Sequence, residues 1–585
     1  MPAKIVIIGL LSATTLIANG GSITNRRPLP LRKKMAEVVL PNEAKHVEAR
    51  KGPILQATDV PPVRTLGTYT GLTGFFDFQC NVGACQYIRV DPSDASGNHI
   101  HVIYMSGPDS TTDPNHPNRR TYYRYSTDAG ATWDVFTPPL VVPERRSGYP
   151  SIDMLQGTIQ ATIVANHNDA GSGNASFMYI DSPPGSGAFS EIGTPPPLGG
   201  GDEPIWPDIA GASDGSIVVN ASRSTANTDW RSRTSDYISW DPWTEITPSG
   251  SAGIPTKSNA AGRVGCLVNG FFAGNTGIHF IESTNNGATW PATASLLVPP
   301  TRIAGPDSFS YTLGCDFVYN GNDANVAFGE ENADPLAPTD SAQITFWSPS
   351  TQFVVVASKR NTPGVAPVEN RQTFNTTTMD MPSIGLSGSV IVIAYHAMMN
   401  NDTSANGYNC CDIFMVASSD GGQTWSTPRN LSNSRGLDDR FVSVAPWNPP
   451  GVVNLVWQED TEAGGNIIGD PGATVQRARQ VFLRTTPLAG VEQGALLPSA
   501  FALEQNYPNP FNPSTTIGYT VAKAGRVTIK VYDALGREVA VLLNDDRAPG
   551  TYQAPFNTTR LASGVYFYRM IASGFTQTKE MLLLK

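Results

Sequence analysis

The stretch STDAGATW at 126–133 returns as STNNGATW at 283–290 and as SSDGGQTW at 418–425, and its pattern, Ser-x-Asp/Asn-x-Gly-x-Thr-Trp, decides how the rest of the chain reads. Its physics is that of a hairpin turn. The Asp or Asn side chain bonds nearby backbone N–H groups, Gly supplies a positive φ, and Trp offers a large apolar face to pack between neighbouring sheets. A second string recurs in register with it: YPSI at 149–152, WPDI at 206–209 and MPSI at 381–384. Each is followed within a few residues by Gly and a β-branched run, TIQATIV, SIVV or SVIVIAY. The spacings are 57 residues and then 175, close to three times 58. QYIRVDP at 86–92, GRVGCLV at 262–268, YTLGCDFV at 311–318 and RFVSVAP at 440–446 fill the gaps as weaker opening strands. That makes about seven units between residues 80 and 486, each long enough for four short strands. One small sheet cannot bury both faces, so stacking the units around an axis is the expected way to complete the core.

Composition agrees with many short strands. Among 585 residues there are 55 Gly and 47 Pro, and charged residues reach only 15%, below the roughly 25% of an ordinary soluble domain. The net charge of −10 comes with no basic stripe outside the N-terminus, so the electrostatic footprint of a nucleic-acid binder is missing. Residues 1–18 carry Lys4 and an apolar run over 5–11, interrupted by Ser12, Thr14 and Thr15. That is the pattern of a secretory signal peptide, too short and too broken for a membrane span. No later segment reaches about 18 uninterrupted apolar residues, so no transmembrane helix is expected. Residues 19–75, with the solvated basic cluster Arg26, Arg27, Arg32, Lys33 and Lys34, read as a flexible leader.

Six cysteines in an exported chain are compatible with disulfides. Cys80 with Cys85, and Cys266 with Cys315, are the leading pairings expected, the second because the spacing of the repeats puts both at matching places in adjacent units. No Cys/His cluster has zinc spacing. His99 and His101 fall on one face of a strand and read as exposed strand histidines. NGNDAN at 320–325 offers oxygen ligands of the kind Ca²⁺ takes, but it fits turn chemistry better, and no cofactor is expected.

The three boxed turns resemble the Asp-box of sialidase-like β-propellers. In that family the box stabilises the turn between outer strands and is not catalytic. By this resemblance Ser126, Asp128, Gly130, Trp133, Ser283, Asn285, Gly287, Trp290, Ser418, Asp420, Gly422 and Trp425 are structural residues, and TSDYISW at 234–240 is a degenerate copy. The resemblance implies an all-β propeller over 76–486 with about seven blades, six being the sialidase number and possible here. It also places any site at the end of the channel where chains run into the innermost strands. Candidates there are Arg146, Tyr149, Glu203, Arg263, Arg371, Asp380 and Arg440. Arginine forks match a carboxylate bidentately, and glycoside cleavage requires an acid with a nucleophile or base, a carboxylate-activated Tyr in sialidases. The Arg-Ile-Pro string with which sialidases place their first Arg is absent from the early units. A carbohydrate- or surface-ligand-binding propeller is therefore the leading reading, and an exo-acting sialidase-type hydrolase the alternative.

After a linker over 487–500, the segment 501–585 alternates STTIGYTV, RVTIKVYD, REVAVLL, GVYFYRMI and KEMLLLK between Gly, Pro and Asn/Asp turns. This spacing suits a small immunoglobulin-like β-sandwich. NYPNPFNPSTTI at 506–517, VYDALGREV at 531–539, LASGVYFYRM at 561–570 and the closing KEMLLLK resemble, in that order, the type A C-terminal sorting domain of the type IX secretion system. The resemblance implies recognition by that machinery and delivery to the surface or exterior of a Gram-negative bacterium.

Overall fold

A computed structural model of the chain describes residues 66–79, 86–108, 116–487 and 501–584, short stretches within the last two excepted, among them 367–376. The expected signal peptide, the leader up to residue 65, Cys80, Cys85 and Arg371 lie outside the described residues. The chain divides into two compact units, Met1–Leu488 and Ala489–Lys585.

The first unit holds seven sheets of four or five strands, antiparallel except where Trp447–Asn448 runs parallel to Leu386 and Ser387. Their innermost strands are Ile88–Val90, Ser147–Leu155, Ile205–Gly211, Thr256–Ser258, Asp307–Asn320, Met379–Ser387 and Asp438–Val444, and they number blades 1 to 7. Each inner strand or its sheet packs on the next, and blade 7 returns to blade 1, so the seven sheets form a closed propeller. Inner strands are buried on both faces, and Asp438–Val444 is buried at every residue. Such strands read as continuous apolar or small-residue runs rather than alternating ones.

Side chains of the inner strands stitch neighbouring blades together. The Ser443 hydroxyl accepts the Tyr87 amide at 3.0 Å, the Ser383 hydroxyl accepts the Val444 amide at 3.0 Å, and the Asp316 carboxylate accepts the Ile384 amide at 3.0 Å. The polar residue of the opening strand in blades 5, 6 and 7 is thus an interblade tie, satisfying amides that the local ladder leaves over.

The leader is shorter than expected. Thr68–Gly74 is the outermost strand of blade 7, paired with Ala478–Thr485. Ring closure requires an N-terminal strand to complete the last sheet, and TYTGLTG hides that role because Gly71, at φ +80, lies within a break in the pairing register.

The three boxed turns follow the third strands of blades 1, 4 and 6 and share the Ser and Asp/Asn hydrogen bonds, while a bond from Trp Nε1 to the Gly carbonyl is made in blades 4 and 6. In blade 6 the Gly422 amide donates to Ser418 Oγ at 2.8 Å, the Thr424 amide to Asp420 Oδ1 at 2.9 Å, and Trp425 Nε1 to the Gly422 carbonyl at 3.0 Å. In blade 4 Asn285 accepts the Thr289 amide at 2.9 Å and donates through Nδ2 to the Thr289 hydroxyl, so Asn replaces Asp with the acceptor kept. Each box also clamps the preceding blade. Trp133 meets Phe482 of blade 7 edge to face at 5.1 Å, Trp425 meets Phe346 of blade 5 at 5.0 Å, and Trp290 lies beneath the Arg231 guanidinium of blade 3 at 4.9 Å. In Thr234–Trp240 the Asp236 carboxylate still accepts the Ile238 and Ser239 amides.

Two sequence expectations fail here for one shared reason. GRVGCLV is the second strand of blade 4, not the first, because Thr256–Ser258 is too short to show a pattern. Cys266 therefore does not match Cys315, which sits on the first strand of blade 5, and no bridge joins them. Both are buried thiols, and Cys266 accepts the Asn220 amide at 3.0 Å. His101 is likewise not exposed: it is buried, with Nδ1 2.7 Å from the Tyr123 hydroxyl. NGNDAN forms the tight hairpin between two strands of blade 5, Asn320 pairing with Asp323.

The second unit is a sandwich of a three-stranded and a four-stranded sheet. In the central pair, Gly525–Asp533 and Gly564–Ala572, every second residue is buried, bringing Val527, Ile529, Val531, Tyr568 and Met570 into one core. The NYPNPFNP string ties this core shut. The Asn506 amide donates to the Tyr568 hydroxyl at 2.8 Å, its side chain donates to Thr515 at 3.0 Å, and Phe511 is buried. In VYDALGREV, Asp533 accepts the Leu535 and Arg537 amides to close a turn. Gly550–Asn557, a strand the sequence reading missed, carries Pro555 beside an otherwise ordinary alternation.

Candidate functional site

The incoming end of the propeller channel, where the chain enters each inner strand, carries a local irregularity repeated blade by blade. Tyr149, Trp206, Met381 and Phe441 have φ of +46, +56, +52 and +55 and lie where the inner-strand register breaks. Such a bulge re-aims one side chain, and bulky residues at positive φ cost on the order of 1–3 kcal/mol each. All four side chains converge with Leu313, Tyr87, Phe76 and Phe78 in one apolar cluster. Because those residues come from six different blades and the crossing segment after Gly74, the cluster can lie only on the channel axis. Tyr149 is 6% exposed and faces Phe76, Phe78 and Trp206 edge to face at 6.4–6.5 Å. The crossing segment is obligatory: having completed the outer edge of blade 7, the chain must pass to the axis to begin blade 1.

Charged groups surround this plug and are consumed by it. Arg119, which belongs to no repeated string, is buried between Phe76 and Tyr149, its guanidinium 5.0 and 5.2 Å from the two rings. It donates to the Ser147 carbonyl at 3.1 Å and contacts His167 at 2.9 Å. Burial, and then this guanidinium, hold His167 well below its ordinary pKa. Asp77 on the crossing segment accepts the Asn466 and Ile467 amides, and burial raises its pKa. Asp460 is pushed up to about 7 by burial and by Asp77.

The sequence-derived candidates do not come together. Arg440 is 3% exposed, forms an ion pair with Asp438 at 2.9 Å and donates to the Gly464 carbonyl at 2.7 Å. Asp380 is sealed between blades 5 and 6, accepting the Thr312 hydroxyl and Met381 amide at 2.7 Å each, and burial raises its pKa to about 7. Glu203 accepts the Leu198 and Gly199 amides of its own loop at 2.8 and 2.7 Å. Arg146 donates to the His116 carbonyl at 3.3 Å. Arg263 lies at the opposite end, because Val264 next to it pairs with the boxed Ser283, and it is ion-paired with Glu282. Among the described residues no three His, Cys, Asp or Glu side chains are grouped as a metal would need.

Residues 505–584 match the family of the secretion system C-terminal sorting domain. No curated protein matches the chain. Among solved structures, a protein of unknown function from Dyadobacter fermentans is similar at 12% identity and TM-score 0.37, covering 73% of this chain and 100% of that one. The polysaccharide lyase Uly1 is similar at 11% identity and TM-score 0.39, covering 69% of this chain and 90% of its own. The intramolecular trans-sialidase from Ruminococcus gnavus is similar at 9% identity and TM-score 0.33, covering 58% and 94%. No helix among the described residues is long and apolar enough to cross a membrane. The chain is a seven-bladed β-propeller followed by a type IX secretion system C-terminal sorting domain, which directs it to the surface or exterior of a Gram-negative bacterium.

Proposed function

We propose that the propeller is a surface-displayed or secreted binding module that holds a carbohydrate ligand without cleaving it. The observation that carries this reading is the fate of the incoming channel end. A hydrolase of the sialidase type needs convergent guanidinium groups around a carboxylate and a Tyr open to substrate. Here Tyr149 is packed inside an aromatic plug, Arg440 is neutralised by Asp438, and Arg146 and Arg263 lie on separate partners at opposite ends. Buried, locally paired groups cannot be presented to a substrate without breaking the packing that holds the blades together. The sialidase-like repeat supplies the ligand class, and the sorting domain supplies the setting, a cell surface where glycans are met. The test is to offer the purified full chain a glycan array and a sialoside panel. Retention on glycans without product release is expected; release abolished by Arg440→Ala would replace binding with catalysis.

A further inference from the structure

At the outgoing end of the channel, on the side of the boxed turns, lies a cavity of about 470 Å³, within the range of roughly 300–1,000 Å³ that small-molecule sites occupy. Its wall takes residues from the outgoing end of, or just after, each of the seven inner strands. Two buried cations belong to that wall, Arg89 and Lys257, each 5% exposed. Both are already neutralised: Arg89 Nε lies 2.8 Å from Asp153, and Lys257 Nζ lies 2.6 Å from Asp316. Asp153 and Asp316 are fixed in turn by the Gly211 and Ile384 amides.

This arrangement selects by charge. An ammonium has three N–H donors and a guanidinium five. Lys257 gives one to Asp316, and Arg89 gives three, to Asp153, the Ile88 carbonyl and Gln86. The wall therefore carries spare donors but no net positive charge, and Asp153 shares it. An anion gains no uncompensated cation there and meets a carboxylate, whereas a neutral hydroxyl or ring oxygen accepts the spare N–H groups without penalty. The same wall carries Trp447, Met154 and Tyr319, with Trp447 half-buried and held on Leu386 as a short parallel strand. An indole face of that kind suits the C–H face of a sugar ring.

We propose that this outgoing cavity is the ligand site of the propeller and that its ligand is a neutral saccharide, bound through its oxygens by Lys257 and Arg89 and through its ring face by Trp447. The assignment rests on the binding reading above and places the site at the end of the channel away from the plug. Exposed Ala260 on the rim provides a way to block the cavity without disturbing the core.

The test is isothermal titration of the full chain with lactose, cellobiose and maltose, and with 3′-sialyllactose as the anionic counterpart of lactose. It is repeated for Ala260→Trp and Trp447→Ala, with melting temperatures recorded to confirm folding. At least one neutral disaccharide binds, its affinity falls about tenfold or more in both variants, a change of about 1.4 kcal/mol, and 3′-sialyllactose binds no more tightly than lactose. Saccharide binding that survives both variants overturns this site while leaving the binding reading intact, and so does a preference for the sialylated sugar. No binding of any saccharide overturns both.

Discussion

Replacing Gly422 by Ala tests whether the boxed turn acts as an interblade clamp rather than as a hairpin alone. Gly422 has φ +91, and a Cβ there would fall inside 3.0 Å of the Phe346 ring of blade 5; its neighbour Gly421 has φ +74 but nothing within 4 Å. The shared backbone strain of an L-residue at positive φ is about 1–2 kcal/mol, partly offset by about 0.4–1 kcal/mol from the stiffer unfolded chain. Gly421→Ala therefore costs up to about 1.6 kcal/mol. Gly422→Ala adds overpacking against Phe346, about 1–3 kcal/mol, for a total of roughly 1–4.6 kcal/mol. Urea and thermal unfolding of the two variants, followed by Trp fluorescence, give the difference. A Phe346→Ala background removes the obstacle and should bring the Gly422 penalty down to that of Gly421. Equal penalties at the two glycines, or a Gly422 penalty unchanged in the Phe346→Ala background, would refute the clamp.

Buried carboxyls make stability fall at mildly alkaline pH. Asp380 and Asp460 are raised to about 7 and Asp208 to about 8, all chiefly by burial, so the folded chain keeps protons that the unfolded chain has released. Their contribution is complete below the unfolded value near 4 and is lost as pH rises through 7 to 8. His101, lowered to about 3, and His167 act oppositely, losing stability only as pH falls below about 6.5. The melting temperature should therefore decline between about pH 6.5 and 8, and Asp208→Asn should flatten the upper part of that decline. Cys266, whose thiol burial pushes up to about 12, and Cys315 should react with a thiol reagent only after unfolding; a disulfide-linked peptide joining them by mass spectrometry would contradict the fold. Deleting residues 505–584 should leave the chain inside the outer membrane, measured by cell fractionation and surface proteolysis.

The repeat was legible because its signal is local: Ser, Asp or Asn, Gly, Thr and Trp within eight residues close one turn by their own hydrogen bonds. The sorting domain was legible for the same reason, through Asn506, Phe511 and Asp533, each of which closes a turn or seals a core within its own unit. What escaped depends on the ring. Thr68–Gly74 becomes a strand only because blade 7 lacks an outer edge some 410 residues downstream, where Thr70 meets Gln480. The three residues Thr256–Ser258 are too few for any period to appear, which shifted Arg263 to the wrong end and Cys266 to the wrong strand. Tyr149, placed by the repeat where the chain runs into an innermost strand, reads as a site residue. Its real role, an aromatic turned into the axis at positive φ, depends on Phe76, Phe78 and Trp206, which no local pattern connects.

The most direct test of binding without cleavage is a proton NMR time course of the full chain with a glycan it retains. Line broadening of the sugar with its anomeric signals unchanged over many hours is the predicted result. New anomeric signals that grow with time, and vanish in Arg440→Ala, would contradict it.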